Sequence, residues 1–258
     1  MNTVSSGTAD YGLIGHPLEH SFSRVLFNRL FAADGSGRHY ANFDMTALDA
    51  AALYSLVLLN PKLKGFNVTS PYKEKIMEFL DHTDPLAQAV GAVNTVKIHR
   101  RDDGFVKGLT GFNTDVFGFT EAITPLLTDA DRHALILGTG GASKAAATAL
   151  AMLGIESVKV SRSRRDGCIT YSDLMPDVMA RNTVIVNCTP AGMYPDVESM
   201  PPVPVSLLDS RHLCFDMIYN PKETKFLREA RARGARTANG AEMLMAQAAK
   251  ALDIWQNE

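Results

Sequence analysis

Short apolar runs alternate with stretches of helical period from residue 11 almost to the C-terminus. The runs at 11–15, 40–45, 63–68, 92–99 and 105–109 predict strands, and the patterns at 21–33 and 47–59 predict helices. Asn60-Pro61 stops the second helix, and Arg101-Asp102-Asp103-Gly104 between two strands is a hairpin signal. Ser70 as N-cap and Pro71 as first helical residue predict a further helix over 71–80. Lys73 then falls in its first turn, facing the positive end of the helix dipole, where a cation costs about 0.3–1 kcal/mol. A local rule broken without visible compensation marks a place to look for function. A lone lysine there is more often simply solvated, but Asn67 and Thr69 at the preceding strand's end set hydrogen-bonding groups beside it.

From residue 115 the alternation becomes more regular. Helices are predicted at 115–127, 143–153 and 241–256, and strands at 132–137, 157–160, 183–186 and 213–218. Gly154 closes the alanine-rich helix. Strand, helix, strand at this spacing predicts right-handed βαβ units and a parallel, doubly wound α/β sheet. The segment 200–204, Met-Pro-Pro-Val-Pro, is a connecting loop, and no internal repeat is visible.

At 258 residues the chain suits one large domain or two smaller ones, and a 46% hydrophobic fraction suits a globular α/β protein. A net charge of −2, with no basic patch or acidic tail, argues against nucleic acid or a membrane surface as partner. No apolar run approaches the roughly 18–20 residues of a membrane span, and the polar first ten residues do not read as a secretory signal. Cys168, Cys188 and Cys214 are odd in number and widely spaced, which fits neither a metal pattern nor a disulfide framework and points to a reducing cytoplasm. Cys188 and Cys214 lie in apolar runs and read as buried structural thiols. His16 and His20 lack a third ligand at matching spacing, so no metal is expected.

Residues 135–143, Leu-Ile-Leu-Gly-Thr-Gly-Gly-Ala-Ser, read as strand, glycine turn and helix start. Glycines there permit the tight turn and let backbone N–H groups approach a pyrophosphate at the helix N-terminus. The motif alone is weak, because a close-packed βα turn looks the same; its strand–turn–helix context raises it. An NAD site ends the next strand with an acid for the ribose hydroxyls. Here that strand ends Val160-Ser161-Arg162-Ser163-Arg164-Arg165. Guanidiniums and hydroxyls there suit a 2′-phosphate, so after the glycine turn NADP is favoured over a merely solvated loop.

Several motifs, in order and spacing, make the chain resemble the shikimate dehydrogenases over almost its whole length. They are 15–23 (Gly-His-Pro-Leu-Glu-His-Ser-Phe-Ser), 67–74 (Asn-Val-Thr-Ser-Pro-Tyr-Lys-Glu), 91–95 (Gly-Ala-Val-Asn-Thr) and 113–115 (Asn-Thr-Asp). The glycine turn follows, then 187–193 (Asn-Cys-Thr-Pro-Ala-Gly-Met), 216–221 (Asp-Met-Ile-Tyr-Asn-Pro) and 243–247 (Met-Leu-Met-Ala-Gln). The resemblance implies an NADP-dependent enzyme of aromatic amino-acid biosynthesis that interconverts 3-dehydroshikimate and shikimate, with Lys73 and Asp115 as catalytic pair. Either of the two can move the proton; by itself, Asp115 reads as a helix cap.

Ser21, Ser23, Asn67, Thr69, Asn94, Tyr219 and Gln247, with Lys73 and Asp115, are implied substrate contacts. Hydroxyls and amides of this kind pair a polyhydroxylated acid and reject poorer analogues. Gly138, Gly140, Gly141, Ala142, Ser161, Arg162, Ser163, Arg165, Thr189, Met193, Met217 and Gly240 are implied cofactor contacts. Two α/β domains are expected: 1–114 completed by 239–258 for substrate, and a Rossmann-type 115–238 for NADP. The active site is expected in the cleft between them, with hinges at 115 and near 239. The protein would act on a small molecule as monomer or homodimer.

Arg24, Phe27, Val116, Ser161 and Glu242 depart from the resembled pattern, which usually has Pro, His, Gly, Asn and an apolar residue there. Arg24 and Phe27 lie near the substrate serines and keep a quinate enzyme open as the nearest alternative. A non-catalytic ligand sensor ranks lower because Lys73 and Asp115 are both present, and a methyltransferase lower still because of the basic strand tip.

Overall fold

The computed structural model describes residues 9–19 and 21–257. His20, weighed above as a metal ligand, and residues 1–8 of the polar N-terminal stretch lie outside the described residues. The chain divides into two compact units. One ends at Thr114 and resumes at Ala248, and the other runs Asp115–Gln247.

The first unit is built from β1 Tyr11–Gly15, α1 Ser23–Ala33, β2 Tyr40–Asp44, α2 Ala50–Leu59, β3 Gly65–Val68, β4 His82–Thr83, α3 Pro85–Val90, β5 Thr95–Arg100 and β6 Val106–Phe112. Its six strands lie in the order β2-β1-β3-β5-β6-β4. The helical crossovers α1 and α2 make β1 parallel to both β2 and β3, whereas β5 is antiparallel to β3 and β6, so the sheet is mixed. The 101–104 turn closes the β5–β6 hairpin, with Gly104 at φ 85° and its N–H bonded to Arg101 O at 2.8 Å. Asp49 caps α2 by accepting from the Ala52 N–H at 2.8 Å. Ile14, Leu53, Leu63, Phe66 and Val96 form a fully buried core.

The second unit takes α4 Thr114–Ile123 from Asp115 onward and continues through β7 His133–Leu137, α5 Gly141–Met152, β8 Glu156–Ser161, β9 Cys168–Thr170 and α6 Pro176–Arg181. It ends with β10 Val184–Asn187, β11 Leu213–Asp216, α7 Lys225–Ala232, β12 Arg236–Asn239 and the part of α8 Ala241–Gln256 up to Gln247. Its six strands are all parallel, in the order β12-β11-β10-β7-β8-β9. By order of appearance within the unit this is 3-2-1-4-5-6 from the β9 edge, the arrangement of dinucleotide-binding sheets. The crevice at such a switch point lies between β7 and β10, at the C-terminal ends of the strands.

The end of α8 belongs to the first unit. Trp255 stacks on Tyr11 with ring centroids 4.6 Å apart and donates its indole N–H to Val96 O at 2.9 Å. No helix among the described residues is long and apolar enough to cross a membrane.

The segment after β3 corrects the expectation of a helix over 71–80. Only a five-residue 3-10 turn, Lys75–Phe79, forms there, and Lys73 precedes it. The Lys73 carbonyl accepts the Val93 N–H at 2.7 Å, which takes it out of any helical ladder, and the Met77 N–H bonds instead to Glu74 O at 3.2 Å. The Tyr72 hydroxyl donates to Met45 O at 2.6 Å. Tertiary bonds thus displace the local helix preference, and the dipole argument for Lys73 lapses with the helix.

Candidate active site

In the first unit, β1 and β3 run parallel and β5 opposes them. The C-terminal ends of β1 and β3 therefore share an edge with the N-terminal end of β5. The segment that carries Ser21 and leads to Ser23, the first residue of α1, leaves β1 at this edge. Its start is pinned by Asp44, which accepts from His16 Nδ1 at 2.6 Å and from the Leu18 N–H at 2.8 Å. The His16 bond, more than the Leu18 one, holds the Asp44 carboxyl below its ordinary range. The His16 N–H reaches Ser70 O at 3.1 Å, tying the serine loop to the Lys73 segment, and the Ser23 N–H bonds to Ser21 Oγ at 3.4 Å. Thr69 follows β3, its N–H bonded to Ile14 O at 2.9 Å. Asn94 directly precedes β5, and the Val93 N–H that binds Lys73 O brings the lysine backbone beside it. Ser21, Ser23, Asn67, Thr69, Lys73 and Asn94 are thus gathered at one sheet edge.

Asn67 and Asn94 are buried and joined. Asn67 Nδ2 donates to Asn94 O at 3.2 Å and to Thr95 Oγ1 at 3.0 Å, and Asn94 Oδ1 accepts the Thr114 N–H at 2.7 Å. Asn94 thereby holds the backbone of Thr114, the last residue of this part of the first unit.

In the second unit Asp115 is 5% exposed in the first turn of α4, where a carboxylate suits the helix dipole. Gln247 lies on α8, against α4: a Cβ on Gly118 would come within 2.7 Å of Met243 O and 2.8 Å of Gln247 Cβ. The close helix contact at Gly118 fixes how Asp115 and Gln247 are held within this unit.

The cofactor candidates follow the C-terminal edge of the parallel sheet. Gly138 leaves β7 at φ +113°, a backbone conformation open to glycine, and its N–H bonds to Val160 O at 2.9 Å. Its missing side chain faces Thr189, whose Cγ2 would lie 3.3 Å from a Cβ there. Gly140 is the N-cap of α5 and has no side-chain cap; a Cβ on it would meet nothing within 4 Å. Helix α5 opens at Gly141, ahead of the expected 143, so Gly141, Ala142 and Ser143 form its first turn and Ser143 Oγ bonds back to Gly140 O at 2.7 Å. An uncapped twelve-residue helix behind open space is a donor set for a diphosphate. At the tip of β8, Ser161 is buried and its Oγ accepts the Ser163 N–H at 3.4 Å, while Arg162, Ser163, Arg164 and Arg165 are exposed. Two hydroxyls among three guanidiniums suit a phosphate monoester. The residues present therefore fit a dinucleotide carrying a 2′-phosphate.

Thr189 and Met193 lie in the loop after β10, and Met217 and Tyr219 in the loop after β11. The Met217 N–H bonds to Asn187 O at 3.0 Å, and the Tyr194 N–H to Asn220 O at 3.2 Å, so the two loops are laced together. Gly240 closes the row. A Cβ there would lie 2.1 Å from Met217 O, so only glycine permits this approach. Beneath the loops, buried Asp216 accepts from Asn187 Nδ2 at 3.0 Å, the Ile218 N–H at 3.0 Å and Thr224 Oγ1 at 2.6 Å. Burial still pushes its carboxyl up to about 6. Burial also raises the thiols of Cys188 and Cys214, the latter to about 12, which removes them as nucleophiles. Among the described residues no group of three His, Cys, Asp or Glu is placed to hold a metal ion.

Tyr40 and Asp216 are connected to these residues and were given no role from the sequence: Tyr40 reads as framework in an apolar strand, and Asp216 only opens the 216–221 motif at a strand end. Only their cross-strand partners distinguish them.

Fold, glycine turn and basic strand tip together define a two-unit α/β protein of the Rossmann, dinucleotide-binding class. The profile of the shikimate dehydrogenase substrate-binding domain matches residues 13–96. A shikimate dehydrogenase (NADP(+)) of Caldanaerobacter subterraneus is 35% identical over 272 residues, covering 99% of this chain and 94% of that protein. The chain belongs to the shikimate dehydrogenase family.

The solved structure of shikimate 5-dehydrogenase from Thermus thermophilus, in complex with NADP(H) and shikimate, superposes with a TM-score of 0.82 at 30% identity, over 96% of this chain and 94% of that one. A quinate dehydrogenase from Corynebacterium glutamicum in complex with NAD also superposes with a TM-score of 0.82, at 28% identity, over 97% of this chain and 94% of that one.

Proposed function

We propose that this chain is an NADP-dependent shikimate dehydrogenase that interconverts 3-dehydroshikimate and shikimate in aromatic amino-acid biosynthesis. The observation that supports it most is the gathering of Ser21, Ser23, Asn67, Thr69, Lys73 and Asn94 at one sheet edge, in a family member whose relatives carry this name along nearly their full length. Hydroxyls and amides with one cation offer partners for every hydroxyl and the carboxylate of a polyhydroxylated acid. Tyr219 and Gln247 complete the substrate contacts, with 1–114 and 239–258 as the substrate part and 115–238 as the cofactor part.

Gly140, Gly141 and Ala142 would hold the diphosphate of NADP on backbone N–H groups, with Gly138 making the turn that brings them to it. Ser161, Arg162, Ser163 and Arg165 hold its 2′-phosphate, and Thr189, Met193, Met217 and Gly240 form the remainder of its site. Bound there, NADP would supply the chemistry of hydride transfer. Lys73 and Asp115 are the catalytic pair that handles the proton of the reacting oxygen: in the reducing direction Lys73 donates it to the ketone oxygen, and in reverse it takes it back. Free thiols at Cys168, Cys188 and Cys214 suit a reducing cytoplasm. The enzyme works on this small molecule as monomer or homodimer, without nucleic acid or membrane.

A quinate enzyme is the second reading, favoured by Arg24 and Phe27 beside the substrate serines. Initial rates of NADPH or NADH formation with shikimate or quinate, each with NADP or NAD, decide between them. The expected outcome is fastest turnover of shikimate with NADP, and a Lys73→Ala variant that folds normally but loses on the order of 10²–10⁴ in kcat, as for removal of a general acid–base group. Preference for quinate or NAD transfers the assignment to the sibling enzyme, and saturable shikimate binding without turnover makes the chain a sensor.

A further inference from the structure

We propose that Tyr40 is a positioning residue for the acid substrate: its hydroxyl fixes the Asn67 amide so that Asn67 meets the substrate only as a hydrogen-bond acceptor. The inference rests on the preceding assignment of Asn67 as a substrate contact.

Tyr40 is completely buried on β2, and its hydroxyl donates to Asn67 Oδ1 at 2.8 Å. Burial raises its ionisation well above the ordinary tyrosine range, so it remains a donor at any working pH. Its ring is held by Phe27, stacked at 4.4 Å with planes 3° apart, and by Trp255 at 6.4 Å. Phe27, one of the departures from the resembled pattern, thus serves as the plate against which Tyr40 lies.

The orientation of the Asn67 amide follows from its other partners. Its second polar atom faces the carbonyl of Asn94 at 3.2 Å, and a carbonyl only accepts, so that atom is Nδ2. The other Nδ2 hydrogen goes to Thr95 Oγ1 at 3.0 Å. Thr95 has a lone pair to receive it, because its own hydrogen points to Asn94 Oδ1 at 3.3 Å or Thr114 Oγ1 at 3.2 Å. Both donors of Asn67 are therefore committed inside the protein, and one lone pair on Oδ1 is left.

An acceptor cannot favourably face a ketone or a carboxylate, which only accept. Shikimate and 3-dehydroshikimate share two ring hydroxyls that do not react, and these are the groups with a proton to give in both directions of the reaction. Asn67 accordingly faces one of them. Rotating the amide to recover a donor would set Oδ1 against Asn94 O and strand the Tyr40 hydroxyl, so the arrangement has no inexpensive alternative.

Tyr40→Phe removes the hydroxyl and keeps the stacked ring. The expected result is a rise of about five- to tenfold in KM for shikimate, the scale of one lost hydrogen bond, with KM for NADP and kcat within about twofold of wild type. With shikimate analogues lacking either non-reacting hydroxyl, the penalty disappears for one of the two. No change in KM for shikimate, or an equal penalty on shikimate and both analogues, overturns the inference. If Tyr40→Phe does not fold, Asn67→Leu and the double variant Tyr40→Phe/Asn67→Leu replace it, since removing both partners leaves neither stranded. These two are expected to share one KM for shikimate, and a difference between them overturns the inference. Wild-type protein that does not turn over shikimate with NADP removes the functional assignment itself, whereas normal wild-type turnover with an uncoupled Tyr40 removes only the role of Tyr40.

Discussion

Replacing Asp216 by Asn tests whether the carboxylate under the two β-strand loops is held at a cost. Asp216 is fully buried, and burial raises its carboxyl to about 6 from an ordinary 3.8 in spite of bonds from Thr224, Ile218 and Asn187. A carboxyl raised in the folded state binds its proton more tightly there than in the unfolded chain. Its contribution to stability is complete below the unfolded value and is lost as pH rises through the folded one. A gap of about two units corresponds to about 3 kcal/mol lost at neutral pH, of which about 1.3 kcal/mol is lost between about pH 5 and pH 7. Asparagine keeps Oδ1 for Asn187 and Ile218 and can donate Nδ2 to Thr224 Oγ1, so it mimics the protonated acid. Asp216→Asn is therefore expected to be more stable than wild type by up to about 3 kcal/mol at neutral pH, with the advantage shrinking by about 1.3 kcal/mol at about pH 5. Urea unfolding of both proteins at several pH values between about 5 and 8 measures the difference. A difference that stays constant across that range, or a variant less stable throughout, refutes the reasoning.

Two further outcomes follow from the cofactor edge. Gly240→Ala sets a Cβ 2.1 Å from Met217 O, a backbone atom that cannot swing aside, and is expected to lose about 1–3 kcal/mol of stability by urea titration, together with weaker NADP binding. An unchanged midpoint there contradicts the close approach of the two loops. Arg162→Ala is expected to raise KM for NADP at least about tenfold while leaving KM for NAD within about twofold, because only NADP carries the phosphate; equal effects on both cofactors would show that the tip does not read the 2′ position.

Most of the strands, most of the longer helices and the order of motifs were legible in the sequence because their signals are local. The period of α8, the alternation of β5 and β6 around Gly104, and the glycines between β7 and α5 each fit within a window of a few residues. The parallel character of the second sheet followed from the spacing of its strands, although its order did not. The edge strand β12, Arg236–Asn239, has no apolar alternation and forms because β11 offers it an unpaired side. The helix expected over 71–80 failed for the complementary reason: Val93, distant in sequence, captured the Lys73 carbonyl.

Chain order alone sets which residue types the protein has to work with: Lys73, Asp115, the serines, the asparagines, the glycine turn and the arginine tip. Tertiary structure decided their chemical state. Asn67 is an acceptor because Asn94 and Thr95 consume its donors, and Asp216 is hard to ionise because the fold buries the end of β11. Propensity and period act between neighbours along the chain, whereas hydrogen-bond polarity and desolvation depend on whatever the fold brings alongside.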